Sequence, residues 1–270
     1  MTTYVREPAV AGRFYPGHRD ELLRELRSYL PAADKKIAAL GCIVPHAGYM
    51  YSGHVAGAVY SSLELPKSYV ILCPNHTGMG EPLAIMTAGR WRTPLGEATV
   101  DMALGTALKE RMALLSEDVL AHHNEHALEV QLPFLQAEAG DFTFVPIVVG
   151  VSRYEVLEQL GQAIADTLAE SARKTLVIAS SDMNHYESDS VTRVKDHKAL
   201  DRILALDPAG LFEVIHRERI TMCGYGPSVA MLAAAQQLGA SKAELIKYAT
   251  SGDISGDRDM VVGYAGVAVS

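Results

Sequence analysis

Apolar positions along this chain fall into two patterns, and the alternation between them predicts its layout. "RDELLRELRSYL" (19–30) repeats Leu22, Leu23, Leu26 and Leu30 at helical spacing and stops at Pro31. "IAALGCIVPH" (37–46), "SYVILCPNH" (68–76), "LAIMTAG" (83–89), "FTFVPIVVG" (142–150) and "TLVIASSD" (175–182) are near-continuous apolar runs, the signature of strands buried on both faces. Helices are predicted between them, at 52–63, 100–112, 125–139, 154–171, through 191–216 and at 227–238. The 125–139 segment places Leu128, Leu132 and Leu135 on one face, with Asn124 positioned to cap it. "AELIKYATSG" (243–252) and "MVVGYAGVAVS" (260–270) close the chain as strands. Apolar strands alternating with helices specify an α/β fold, a single domain over residues 1–270 with a mostly parallel central sheet covered by helices on both faces.

Three of the strands break into polar turns of similar make-up. "CIVPHAGY" ends in His46, "VILCPNHTG" in His76, and "LVIASSDMNH" in Asp182 and His185. In open α/β sheets, ligands sit beyond the carboxyl ends of the strands, and parallel strands present those ends on one side. These four residues are therefore expected to converge although they are far apart in sequence. Pro45 and Pro74 help to stop the strands, and Gly48 and Gly78 allow a sharp exit and close approach by a ligand. His54 is placed on the helix that follows His46. His18, His197 and His216 lie in polar helical contexts and are read as solvated.

Composition narrows the partners. A net charge of −8 without any Lys/Arg run argues against nucleic acid or an anionic membrane surface. The first residues lack an apolar signal core, and no run reaches transmembrane length, so a cytoplasmic location is expected. Three cysteines without CxxC spacing argue against a disulfide framework and against a structural zinc knuckle. Cys42 and Cys73 sit inside apolar strands as core thiols, whereas Cys223 lies in the polar stretch "ERITMCGYGPS".

"HHNEH" (122–126) formally matches an inverted zincin pattern, which needs His122 and His126 one turn apart on one helix with Glu125 as base. A helix beginning at Asn124 leaves His122 off it. The reading preferred here places Glu125, His126 and Glu129 at the rim of the strand-end site, as substrate-binding, acid/base or supporting groups.

Taken in order, "VAGRFYP", "PHAGYMYSG", "PNHTG", "RTPLGEATVD", "NEHALEVQLPFL", "VPIVVG", "SSDMNHY", "MCGYGP" and "GDRDMVVGYAG" resemble the motifs of the Memo family over essentially the whole chain. Its prokaryotic members are called AmmeMemoRadiSam system protein B. The resemblance implies a fold like that of class III extradiol ring-cleavage dioxygenases of the LigB type, which hold non-haem Fe(II) with two histidines and a carboxylate. It implies a Memo-type metal site of His46, His76 and Cys223, with Asp182 and His185 lining it. His185 corresponds to a catalytic acid/base, and His126 and Glu125 fall at the same pocket. Asn184 and Tyr186 depart from the Cys and Trp that flank this histidine in animal members, so pocket details need not transfer.

A thiolate in place of the carboxylate keeps the charge count and softens the site, which then suits Fe(II), Cu(I) or Zn. The thiol must lose its proton to bind, so affinity should rise with pH. The functional expectation is a dioxygenase-like oxidoreductase. Fe(II) is held by His46, His76 and Cys223, Asp182 orients His185 for proton transfer, and His126 binds substrate or oxygen. The rival expectations are a non-catalytic metal-binding or peptide-binding adaptor, or one component of a modification pathway with AMMECR-type and radical SAM partners.

Overall fold

The computed structural model of the chain describes residues 4–33 and 35–270. In chain order the first half comprises β1 (Val5–Arg6), α1 (Arg19–Tyr29), β2 (Gly41–Val44), α2 (Tyr49–Ser62), β3 (Ser68–Pro74), β4 (Leu83–Ile85), β5 (Arg90–Thr93), β6 (Gly96–Val100) and α3 (Met102–Arg111). Then come β7 (Ser116–Glu117), α4 (Leu120–His123), α5 (His126–Glu129), α6 (Leu132–Glu138), β8 (Thr143–Val149), α7 (Tyr154–Ala169), β9 (Leu176–Ser180) and β10 (His185–Glu187). The last elements are α8 (Asp189–Leu204), α9 (Pro208–Arg217), α10 (Tyr225–Gln237), β11 (Ala243–Thr250), α11 (Gly252–Ser255) and β12 (Val261–Val269).

One mixed sheet runs through the molecule in the order β1-β5-β6-β8-β3-β9-β2-β12-β10, with β11 on β12 and β4 on β8. Its centre, β6-β8-β3-β9-β2, is parallel, and β12 and β11 close one side antiparallel. The apolar runs are continuous because the central strands alternate between two cores. Val70 and Leu72 of β3 enter one core with Val145 and Ile147, whereas Tyr69, Ile71 and Cys73 enter the other with Phe144 and Val148. The first core is covered by α3, α7, α8, α9 and α10, and the second by α1, α2, α5 and α6. Cys42 and Cys73 are fully buried there as core thiols.

Three features depart from the pattern reading. The single helix expected over 125–139 is two short ones, α5 and α6, because Pro133 has no N–H and its ring would clash with the carbonyl four residues back, at Glu129. The cap of α5 is Glu125, whose side chain accepts from Ala127 N at 2.9 Å; Asn124 does not fill that role. Between the expected strand at 83–89 and the helix at 100–112 lies a hairpin, β5–β6. Its alternation was readable: Trp91 is buried between exposed Arg90 and Arg92, and Ala98 and Val100 point inward from β6.

Glu129 also differs from expectation. It lies away from the strand-end rim, fully buried, and pairs with the fully buried Arg6. Its carboxylate accepts further bonds from Ala9 N (2.7 Å), Val10 N (3.1 Å) and Tyr15 Oη (2.7 Å). Arg6 donates to the carbonyls of His122 (3.0 Å) and Glu125 (2.7 Å) and lies over the Trp91 ring. This cluster locks the N-terminal segment under the α4–α5 turn that carries Glu125.

Candidate metal centre

β9 lies between β3 and β2, so the three strand ends that carry polar turns are neighbours. His76 leaves the end of β3, His46 leaves the end of β2, and Ser180, Ser181 and Asp182 run off β9 between them. Gly78, at φ +64°, supplies the left-handed backbone that the turn after His76 requires. Cys223 arrives from the other direction, in the loop before α10. Gly224 brings it in. A Cβ on Gly224 would collide with the Ser180 carbonyl and the Ser181 side chain, and its N–H donates to Ser181 Oγ at 3.1 Å. The space left by this glycine is therefore taken up by the end of β9.

The donor atoms of His46, His76 and Cys223 lie within 4.8 Å of one another, with Cys223 Sγ 3.2 Å from His46 Nε2. Hydrogen bonding decides which imidazole nitrogens are free. The Ser180 hydroxyl donates its one proton to the Ala127 carbonyl (2.6 Å), so its 2.9 Å contact with His46 Nδ1 requires Nδ1–H as donor and leaves the Nε2 lone pair open. Gln131, buried in the same patch, donates to Ser180 Oγ and to the Pro45 carbonyl, both at 2.9 Å. His76 Nδ1 lies 2.9 Å from Glu125 Oε1, and its backbone N–H donates to Oε2 at 2.6 Å. This carboxylate–histidine pair again holds the proton on Nδ1 and turns Nε2 outward.

Burial, reinforced by the neighbouring His76, His126 and His185, pushes His46 well below the usual histidine range and keeps it neutral. Burial alone raises Glu125, but the bonds from His76 and Ala127 outweigh it and hold the carboxyl below its ordinary value. Burial and the nearby Asp182 carboxyl push the half-buried Cys223 thiol well up. Two imidazoles with free Nε2 lone pairs and a thiol that must lose a proton to ligate match the donor chemistry of Fe(II), Cu(I) and Zn.

The other expected residues take distinct positions. His126 stacks on His76 (centroids 4.7 Å apart), meets His46 edge-on at 5.5 Å and packs against Phe14 at 4.8 Å. Asp182 is buried and accepts from the His46 backbone N–H at 2.7 Å, and burial raises its pKa. The hydrogen bonds that orient His185 come from Thr221 and not from Asp182: Thr221 Oγ1 accepts from His185 N (2.7 Å), and the Thr221 carbonyl lies 2.9 Å from Nδ1. His54 is half-buried on α2, and His18, His197 and His216 are exposed.

His122 is fully buried, with Nδ1 2.8 Å from the Asp118 carbonyl and Nε2 3.3 Å from that of Pro146. Each nitrogen faces a backbone carbonyl, to only one of which the neutral ring can donate, and the residue lies on α4, off the helix that carries His126, so the zincin arrangement does not form. Burial pushes its pKa down to about 4. The unfolded chain takes up this proton near pH 6.5 and the folded one only near 4, so stability falls as pH drops through that window. The loss reaches about 3 kcal/mol, at 1.36 kcal/mol per pH unit. Urea unfolding between pH 4 and 7 should show a slope shallower by up to one proton in His122→Gln than in the wild type.

Glu125→Gln retains the size of the side chain but loses the charge and one of the two oxygens that accept from His76. Outer-shell changes of this kind cost about tenfold to a hundredfold in metal affinity, and competition with a chromophoric chelator reads this directly.

Ser180, Gln131 and Thr221 were not singled out from the sequence. Gln131 carried a signal, a polar residue inside the apolar "LEVQLPFL", but its partners lie 49 and 86 positions away.

The chain is similar to known proteins over nearly its whole length. MEMO1 family protein MK0963 of Methanopyrus kandleri is 45% identical over 276 residues, covering 97% of this chain and 98% of that one. A MEMO1 family protein of Methanosarcina acetivorans is 43% identical over 98% of this chain and 99% of its own length. The crystal structure of uncharacterized protein JW3007 from Escherichia coli superposes with a TM-score of 0.55 at 11% identity, covering 83% of this chain and 98% of that one, a likeness of fold alone. The profile of the family described as Memo-like protein matches residues 6–268, and the chain belongs to that family.

Proposed function

We propose that His46, His76 and Cys223 hold one redox-active metal ion, Fe(II), and that the protein performs oxygen or redox chemistry on a small chelating substrate such as a phenolic compound. The observation that carries this reading is the pinning of Nδ1 on both histidines, which aims two Nε2 lone pairs at the space beside a thiol. When bound, a ferrous ion with open coordination positions supplies activation of dioxygen and of a chelating substrate.

The chain's own residues do the rest. Asp182 holds the His46 backbone in place, and Glu125 holds His76. His126 presents a ring face packed on His76 and Phe14, suited to excluding water and holding a planar substrate. His185, whose Nδ1 is tied to Thr221, has Nε2 available to accept a proton from a substrate hydroxyl and return it.

The test is anaerobic reconstitution with Fe(II) followed by oxygen uptake over a panel of phenols. Uptake that requires iron and is lost in His185→Gln supports the reading. The competing adaptor role draws on the large exposed apolar side chains near these loops, Met50 (60% exposed) in the first turn of α2 and Tyr186 (70%) beside His185. Stoichiometric metal without turnover across the panel, together with co-purification of AMMECR-type or radical SAM proteins, would favour it.

A further inference from the structure

We propose that Thr221, itself held by Asn184, is the residue that positions His185, fixing it with the proton on Nδ1 and an unprotonated Nε2. β10 is a single short segment, His185–Glu187, that pairs with β12 through a register shift between those two residues. Tyr186 between them is left-handed, at φ +60°, a conformation that residues with side chains avoid. Such outliers persist where the surroundings over-determine them. Here the distortion turns both the backbone N–H and the ring of His185 onto one residue. Thr221 Oγ1 accepts from His185 N at 2.7 Å, and the Thr221 carbonyl faces Nδ1 at 2.9 Å. A carbonyl only accepts, so Nδ1 must donate.

Thr221 is held in turn. Its N–H and hydroxyl both donate to Asn184 Oδ1, at 3.0 and 3.1 Å. Asn184 is fully buried, and its backbone N–H donates to the buried Asp196 carboxyl at 2.8 Å. Its side-chain amide donates to Glu187 at 2.7 Å. The same Asn184–Thr221 clasp ties down the loop two residues before Cys223, while the Gly224–Ser181 bond ties it just after. Proton-handling histidine and thiol ligand thus share one anchor.

This inference deepens the role given to His185 above, and its test needs no metal. Nitrogen-15 NMR of the histidine side chains in the metal-free protein at alkaline pH reads the tautomer, with His185→Gln assigning the signal. The wild type and Thr221→Ser, which keeps the hydroxyl, should show Nδ1 protonated. Thr221→Val keeps the carbonyl but removes the hydroxyl bonds that hold it against Nδ1, and Asn184→Ala releases the same loop, so both should shift the signal toward protonated Nε2. A wild-type His185 with the proton on Nε2 would overturn the proposal even if Asn184→Ala fails to fold. So would an unchanged signal in Thr221→Val. A chain that shows the Nδ1 tautomer yet binds no iron leaves the clasp standing and removes only the metal reading.

Discussion

Cys223→Ala should lose metal affinity by roughly a hundredfold to a thousandfold while the protein stays folded. Structural zinc sites of four ligands are worth about 10–16 kcal/mol, so one strong ligand accounts for about 3–4 kcal/mol, near two to three decades in affinity. Cys223 is half-buried and its side chain is small, so the cost to folding should remain within about 1 kcal/mol. Cys223→Ser should behave like Ala in affinity, because an alcohol holds its proton far more tightly than a thiol and is a poor soft donor. Anaerobic titration with Fe(II) against a competing chelator measures the loss, and thermal unfolding in the same buffer confirms that the fold persists. Equal affinity in wild type and Cys223→Ala would remove the thiolate from the site.

Glu129→Ala should be the most damaging change to stability, although it touches no metal ligand. It would leave Arg6 charged and fully buried against Trp91, and it would strip acceptors from Ala9 N, Val10 N and the Tyr15 hydroxyl. Removing one member of a buried ion pair costs about 3–5 kcal/mol. At about 2–4 °C per kcal/mol for a chain of this size class, the melting temperature should fall by roughly 6–20 °C. Replacing both members by apolar residues, Arg6→Met with Glu129→Leu, should recover only part of this. The stranded charge is gone, but the three orphaned donors remain, and the His122 and Glu125 carbonyls now lack Arg6 as well. A double variant as stable as wild type would show that this buried hydrogen-bond cluster contributes nothing to stability.

The parallel centre was legible because strands buried on both faces must be apolar at every position, as in "VILC" and "LVIAS". The strand-end histidines were legible for a related reason: the chain can place polar groups only where those runs stop. Pro133 and the alternation around Trp91 were equally visible, and they govern the break between α5 and α6 and the β5–β6 hairpin. What could not be read was pairing over distance. Glu125 and Glu129 sit four residues apart and looked equivalent, yet one faces His76 and the other Arg6. Asp182 precedes His185 by three residues but bonds His46, 136 positions away, and the partner of His185 lies 36 positions downstream. Cys223 entered the site only through the Memo resemblance, because nothing local distinguishes a ligand thiol from a loop cysteine.

X-ray absorption on the protein loaded anaerobically with one equivalent of Fe(II) tests the central claim most directly. The account predicts one sulfur scatterer together with imidazole nitrogens around the iron, with the sulfur lost in Cys223→Ala and the imidazole contribution reduced in His46→Ala. A first shell of nitrogen and oxygen alone in the wild type, or a spectrum unchanged by both substitutions, would contradict it.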